Sequence, residues 1–534
     1  MIQDLHDFEL DKSIQTDICI IGSGAIGTAI ALEFLHSPFN IVVLEAGGFE
    51  HEEQSQDAYL SELTGLAHRG VHEGRARVLG GTTTLWAGQA LPYHPIDFEV
   101  RDWVQNSGWP LDRETLLPYY RRAEQVMQVE HVSYDPLDWP SKTVPPDYDT
   151  TKLLPIFSQF TLTPDFRDKY RETLTTAQKI RVICHANVVS LEANENGSAI
   201  TEIRVKSLVG HNLCVSSRFV VVACGGIESA RLLLISNSVE KNGVGNRNDV
   251  VGRYFQDHPH FAIDKIAPSD PHHFDRLFNV QANDKVRYAF KVAASPEWQR
   301  QHQLLGVVGE VYYPTEKNDP IAAAQRVMAI LRGREKTAGL WSSLRTVAQK
   351  PTVVVKEAWS RYFASQAVSA GSVPPHFVVG VEQIPDPESR VTLSDQRDLL
   401  GLPRTRLHWR INEKEVQTIK AFVETVAAEW SRLEIAEMDI SRVNEHARSE
   451  TPIQKRMRDS YHHIGTTRMG TNPKVSVVDQ DCRVHGYDNL YIAGSSVFPT
   501  GSFSNPTLTA IALAIRTADN IKSRLGSPAQ VAGI

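Results

Sequence analysis

The chain has 534 residues, 41% of them hydrophobic, and a formal net charge of -7. That length predicts two domains, and the acidic balance gives no whole-protein basis for binding nucleic acid. No apolar run reaches the roughly 18 residues that cross a bilayer, and Cys19, Cys184, Cys214, Cys224 and Cys482 are too scattered for a disulfide framework, a zinc site or an iron–sulfur cluster.

Residues 1–16 are acidic and polar with no basic leader or twin arginine, so a cytoplasmic protein with reduced cysteines is predicted. Residues 17–21 then form a buried strand that runs into Gly22-Ser23-Gly24-Ala25-Ile26-Gly27 and a helix over 28–35. In such a unit Gly22 makes the tight turn, Gly24 lets the backbone approach a pyrophosphate, Gly27 packs helix on strand, and the helix N-terminus faces the phosphates. A second strand over 40–44 ends at Glu45 and Ala46, where the carboxylate can accept from ribose hydroxyls and repels a 2′-phosphate. Together these elements predict dinucleotide binding. Residues 97–127 read as a turn followed by a helix, and a middle βα unit runs from Cys184 to Gln256.

Between Lys317 and Arg361 nine Lys or Arg stand against three Asp or Glu, so this stretch is about +6 within an acidic chain. Asp319-Pro320 starts one helix, residues 339–349 form a second, and a third runs from Pro351 through Phe363. This basic insertion, 315–366, reads as a solvated helical elaboration, or as a lid, a membrane-surface contact or a dock for an acidic electron carrier. From Phe377 to Trp409 the alternation is β-like, broken at Pro385-Asp386-Pro387 and at Leu402-Pro403, and predicts a sheet closing over the cofactor face.

The C-terminal segment carries the chemistry. Tyr461-His462-His463-Ile464-Gly465-Thr466 precedes a short apolar strand ending in Gly494-Ser495, and Ser504-Asn505-Pro506-Thr507 opens a helix over about 508–521. An imidazole such as His462 can take a proton near neutral pH. Asn505 can offer a neutral amide to a substrate oxygen or cap the helix. His463 is read as support on the other side of a strand, His258 and His260 as structural hydrogen-bonders. No histidine or acid spacing calls for a metal.

This ordered set resembles the glucose-methanol-choline (GMC) flavoenzymes. Arg77-Val78-Leu79-Gly80-Gly81-Thr82-Thr83-Thr84-Leu85-Trp86-Ala87-Gly88 is similar to the family's flavin segment, residues 219–234 around Ala223-Cys224-Gly225 to its second signature, and residues 251–259 to a third block. The resemblance implies an α/β fold: a Rossmann-like FAD-binding domain of the GMC and p-hydroxybenzoate hydroxylase-like type, with an α+β substrate domain built on an antiparallel sheet. It assigns 1–98, 179–260 and 456–534 to the FAD-binding domain, and 99–178 and 261–455 to the substrate domain. His462 and Asn505 become the catalytic pair. FAD is expected along Gly22, Gly24, Ala25, Ile26, Gly27, Glu45, Ala46, Arg77, Gly80, Gly81, Thr82, Thr83, Leu85, Trp86, Ala87, Val188, Ala223, Cys224, Gly225, Gly494, Ser495, Asn505, Pro506 and Thr507.

The resemblance is nearest to pyranose oxidases and bacterial sugar dehydrogenases. Where pyranose 2-oxidases carry a histidine bonded to FAD this chain has Leu85, so non-covalent FAD is expected. Ala87 replaces a threonine near the reactive flavin nitrogen, which favours a dehydrogenase over an efficient oxidase. The implied activity is oxidation of a CH–OH group of a carbohydrate, glycoside or polyol by hydride transfer, with His462 as general base. A non-sugar alcohol, or a lyase using FAD without net redox, are the alternatives. Dioxygen, a quinone or a carrier protein remain open as electron acceptor.

Overall fold

The computed structural model describes residues 1–131, 134, 147–282, 286–314, 320–331, 339–349, 351, 374–444 and 453–526. Its first layer is an eight-stranded sheet. In spatial order this runs Ile2–Asp4, Ile180–Cys184, Ile41–Leu44, Asp11–Ile21, Asn212–Val222, Ile200–Lys206 and Asn187–Ala193, with Leu490–Ile492 also beside Asn212–Val222. The pairs from Ile2–Asp4 to Asn212–Val222, and the pair with Leu490–Ile492, are parallel; the remaining two strands are antiparallel. The four residues Ile41–Leu44 are all buried, the pattern of a strand covered on both faces. Helices Ala25–Glu33 and Thr507–Gly526 pack on each other beside it.

The second layer is a seven-stranded antiparallel sheet. His260–Ile263, His376–Val381, Val307–Tyr312, Val286–Ala294, Leu153–Thr161 and Gln89–Ala90 follow in order, with Gln281–Ala282 beside Val286–Ala294. One face buries Phe157, Phe290, Val292, Phe377, Val379 and Val381 against Ile419, Phe422, Val423 and Trp430 of helix Glu413–Arg432. That helix starts with a capping box, in which the Asn412 N–H donates to Glu415 Oε2 over 3.1 Å. The α/β class and its two sheets are those expected.

One expectation changes. The 377–409 stretch does not form one sheet: only His376–Val381 joins the antiparallel layer. Arg390–Arg397 and Pro403–His408 pair with each other and with Glu62–Leu63, because Val391, Leu407 and Trp409 bury against Val71, Ile227 and Phe255. Within 99–178, strand Leu153–Thr161 lies in the antiparallel sheet, but helix Arg113–Met127 packs on Thr507–Gly526, and Phe166–Thr176 touches Ile180–Cys184. Conversely Gln89–Ala90, from the N-terminal stretch, extends the antiparallel sheet.

In the basic insertion, helices Pro320–Leu331 and Leu340–Gln349 stand where expected. The third helix, Arg332 and Arg334 fall outside the described residues. Among the described residues no helix is long and apolar enough to cross a membrane.

Candidate active site

A long cleft, enclosing about 1580 Å³ of non-protein space partly open to solvent, runs along the C-terminal ends of the parallel strands. The turn beneath it is held by two glycines with little room. Gly22 has φ +103, and a Cβ there would lie 2.6 Å from Ala223 O; a Cβ on Gly27 would lie 1.9 Å from Gly22 O. Among the described residues nothing lies within 4 Å of the Gly24 Cβ position, so Gly24 presents bare backbone to the cleft. Helix Ala25–Glu33 begins there with no side-chain cap and no acid in its first turn, and helix Thr507–Gly526, also without an early acid, ends on the same cleft. Both present the positive ends of their dipoles.

At the far end Glu45 is buried and accepts from Ser23 N (3.0 Å), Ser23 Oγ (2.6 Å) and Gly47 N (3.0 Å). Burial raises its carboxyl above the ordinary range, and those hydrogen bonds only partly oppose the rise. Arg77 Nη2 donates to Asn187 Oδ1 over 2.5 Å while its Nε is buried without a partner among the described residues. A phosphate-facing helix end, a bare glycine, a buried acid and a spare guanidinium N–H fit FAD.

Of the expected cofactor residues, Gly22, Gly24, Ala25, Ile26, Glu45, Ala46, Arg77, Gly81, Thr82, Thr83, Trp86, Val188, Ala223, Cys224, Gly225, Gly494, Ser495, Pro506 and Thr507 line the cleft. Gly27, Gly80, Leu85, Ala87 and Asn505 do not. Gly27 is the packing contact just described, and the Gly80 N–H donates to Ser23 Oγ over 3.2 Å. Leu85 is 54% exposed and Ala87 exposed, on the loop after the short 3₁₀ turn Gly81–Thr84. Trp86 between them anchors inward, its indole N–H donating to Pro164 O.

His462 sits at one end of the cleft. Its Nε2 lies 3.3 Å from Asn505 Nδ2, and its Nδ1 lies 2.9 Å from His258 Nδ1 and 3.0 Å from Ser460 Oγ. The loop carrying it is pinned by one buried carboxylate. Asp257 Oδ1 accepts from His258 N, Ser460 N, Ser460 Oγ and His462 N, and Asp257 Oδ2 lies 3.0 Å from His68 Nε2. Burial opposes ionisation of Asp257, but the hydrogen bond from His68 and the surrounding imidazoles outweigh it and hold the carboxyl well below its usual range. Burial, then the neighbouring His258, push His462 down to about 3, and burial lowers His258 as well.

His463 is not the alternate residue of a strand. Tyr461 (φ +67) and Gly465 (φ +87) bend this segment, and the His463 ring is buried against His68 and Phe255. His258, expected to be a structural hydrogen-bonder, meets the His462 ring directly. Tyr59, Arg75, Glu228, Arg231 and Asp398 also line the cleft unforeseen. Arg75 pairs with Glu228 at 2.8 Å, and Arg231 with Glu228 at 3.2 Å and Asp398 at 2.6 Å, tying the cleft to the three-stranded sheet. His68, Asp257 and His463 bring potential ligand atoms within 4.8 Å of one another from three distant segments, as do Asp4, His6 and His185. A search for short ligand spacings has no means of finding either group.

A family model for GMC oxidoreductases matches residues 385–514, a span holding both His462 and Asn505. Over 96% of its length the chain is 22% identical to the 2-methyl-1,2-propanediol dehydrogenase of Mycolicibacterium austroafricanum, covering 96% of that protein. It is 23% identical, over 96% of its length, to the fructose dehydrogenase large subunit of Gluconobacter japonicus, covering 99% of it. Residues 385–514 thus carry the C-terminal domain of GMC oxidoreductases, and the whole chain is similar to these two dehydrogenases. The fold is shared with formate oxidase, at a TM-score of 0.58 and 15% identity over 96% of this chain and 99% of that one. It is an FAD-dependent oxidoreductase acting on CH–OH donors.

Proposed function

We propose that this protein oxidises a CH–OH group of a polyhydroxylated substrate, a sugar, glycoside or polyol, to a carbonyl. The observation that carries the reading is the His462–Asn505 pair at the end of the cleft. A hydroxyl oxygen set against both groups gives its proton to Nε2 and accepts a hydrogen bond from Nδ2, which stabilises the charge that develops on oxygen. Burial keeps the imidazole neutral, so its lone pair is available. Bound FAD supplies the two-electron acceptor for the hydride that leaves carbon. Glu45, the N–H groups around Gly24 and Ala25, and Arg77 would hold and orient the cofactor.

The substrate class rests on the second face of the antiparallel sheet. By strand register Gln89, Ser158, Lys291, Glu310 and His260 share the face opposite helix 413–432. Phe503, two residues before Asn505, packs on that face against Ile156, Ala293 and Val308. Lys291 Nζ pairs with Glu310 Oε2 at 2.7 Å, and Gln89 Nε2 donates to Ser158 Oγ at 2.7 Å. Fixed donors and acceptors of this kind discriminate strongly for hydroxyl-bearing ligands, because an analogue without the hydroxyl leaves them unpaired. The relatives named for a 1,2-diol and for fructose agree with this class.

FAD is held non-covalently in this reading. Leu85 has no nucleophile, and the Cys224 thiol in the cleft is pushed up to about 12 by burial, so it stays protonated. The test is an anaerobic screen for flavin bleaching by D-fructose, D-glucose, methyl glycosides and 1,2-propanediol against 1-propanol and benzyl alcohol, with acceptors added afterwards. Polyols should bleach the flavin and Lys291→Met should weaken them selectively. Equal bleaching by the monohydric alcohols would overturn the substrate class.

A further inference from the structure

Beyond the proton acceptor itself, we propose that His258 and Ser460 are positioning residues that jointly lock His462 in the tautomer protonated on Nδ1, leaving the Nε2 lone pair toward Asn505. The inference deepens the reading of His462 as the base and follows from counting protons along two separate chains of hydrogen bonds.

The first chain starts at the Gly501 carbonyl, which can only accept. Tyr93 donates its hydroxyl to this oxygen, and His258 Nε2 lies 3.1 Å from it, so Nε2 carries a proton. Burial keeps His258 neutral, and its Nδ1 is therefore a bare acceptor. Across 2.9 Å stands His462 Nδ1. Two bare nitrogens at that distance repel, so the proton between them belongs to His462.

The second chain starts at Asp257. Its carboxylate is ionised and accepts from the Ser460 hydroxyl over 2.6 Å. A hydroxyl has one proton, so Ser460 Oγ offers only lone pairs to His462 Nδ1, 3.0 Å away. Both anchors demand the same proton on the same nitrogen. A neutral imidazole holds one N–H, and Nε2 is left bare, 3.3 Å from an amide nitrogen that can only donate. The tautomer is thus fixed twice, from a backbone carbonyl 39 residues downstream and from a carboxylate 205 residues upstream in sequence.

The redundancy gives the test its form. In the FAD-loaded enzyme labelled with ¹⁵N-histidine, the His462 signals, identified by their loss in His462→Gln, should show the proton on Nδ1. Under anaerobic mixing with a polyol that bleaches the flavin, His258→Leu and Ser460→Ala should each lose less than about 10-fold in reduction rate. The double variant should lose more than about 10²-fold, a non-additive result expected of groups with one shared task, and both tautomers should appear in its spectrum. Adding His258→Asn instead of His258→Leu to Ser460→Ala should recover most of the rate, because its Oδ1 can accept from Nδ1–H. A proton on Nε2 in the wild type overturns the proposal, with no variant needing to fold except the one used for assignment. So does a double variant with wild-type tautomer and rate. A proton on Nδ1 together with full-speed reduction by His462→Gln would instead remove His462 as base while the tautomer assignment stands.

Discussion

Two glycines of the phosphate turn, Gly24 and Gly27, should respond in opposite ways to the same added methyl group. In Gly27→Ala the new Cβ would lie 1.9 Å from Gly22 O, whereas ordinary contact begins near 3.4 Å. The helix must withdraw from the strand by more than an ångström, and neither partner is a flexible side-chain end. Overpacking of this kind costs roughly 3 kcal/mol, against a gain of about 1 kcal/mol from replacing a helical glycine. The net loss is about 2 kcal/mol, read as a lower urea midpoint of the FAD-free protein. In Gly24→Ala nothing lies within 4 Å of the new methyl and φ is an ordinary -64, so the FAD-free midpoint should hold. The methyl instead fills space where a pyrophosphate must meet the helix N–H groups. Losing one hydrogen bond to a charged group, about 1.5–3 kcal/mol, raises the FAD dissociation constant about 10- to 100-fold, measured by flavin absorbance during titration. A Gly24→Ala variant that binds FAD like the wild type, beside a Gly27→Ala variant of unchanged stability, would refute this account of the cleft.

His462→Ala should retain FAD and slow anaerobic flavin reduction by at least about 10²-fold, the contribution of a general base; wild-type reduction rates would reject the assignment. The same rate in the wild type should stay level as pH falls from 8 to 5, since His462 loses its lone pair only as pH drops through about 3; an imidazole at its ordinary value near 6.5 would instead cost about 30-fold at pH 5. Folding stability should decline below about pH 6.5, because the folded chain keeps His94, His258, His462 and His463 neutral by burial while the unfolded chain protonates them, so protonation favours unfolding; equal urea midpoints at pH 7.5 and 5.5 would contradict it. Acid denaturation should release all the yellow colour as free FAD, and flavin retained on the washed precipitate would show a covalent link.

The sequence by itself determined the elements whose signals are local. The Gly22–Gly27 turn, the strand before it, the helix after it and the Asn-Pro-Thr helix start all rest on backbone demands that neighbouring residues settle: a positive φ at Gly22, a close approach at Gly27, a proline at a helix entrance. His462 and Asn505 were legible for the same reason, each lying in a short pattern of its own. Tertiary structure alone decided which side chains meet. Asp257 and His68 reach the His462 loop because the strand His260–Ile263 and the loops around it are held by long-range register, and no spacing along the chain encodes that meeting. The division of 377–409 between two sheets was hidden for a related reason. Alternation specifies a strand with one buried face, but which partner buries it is settled by packing, here Val391 and Leu407 on Ile227 and Phe255 rather than on helix 413–432.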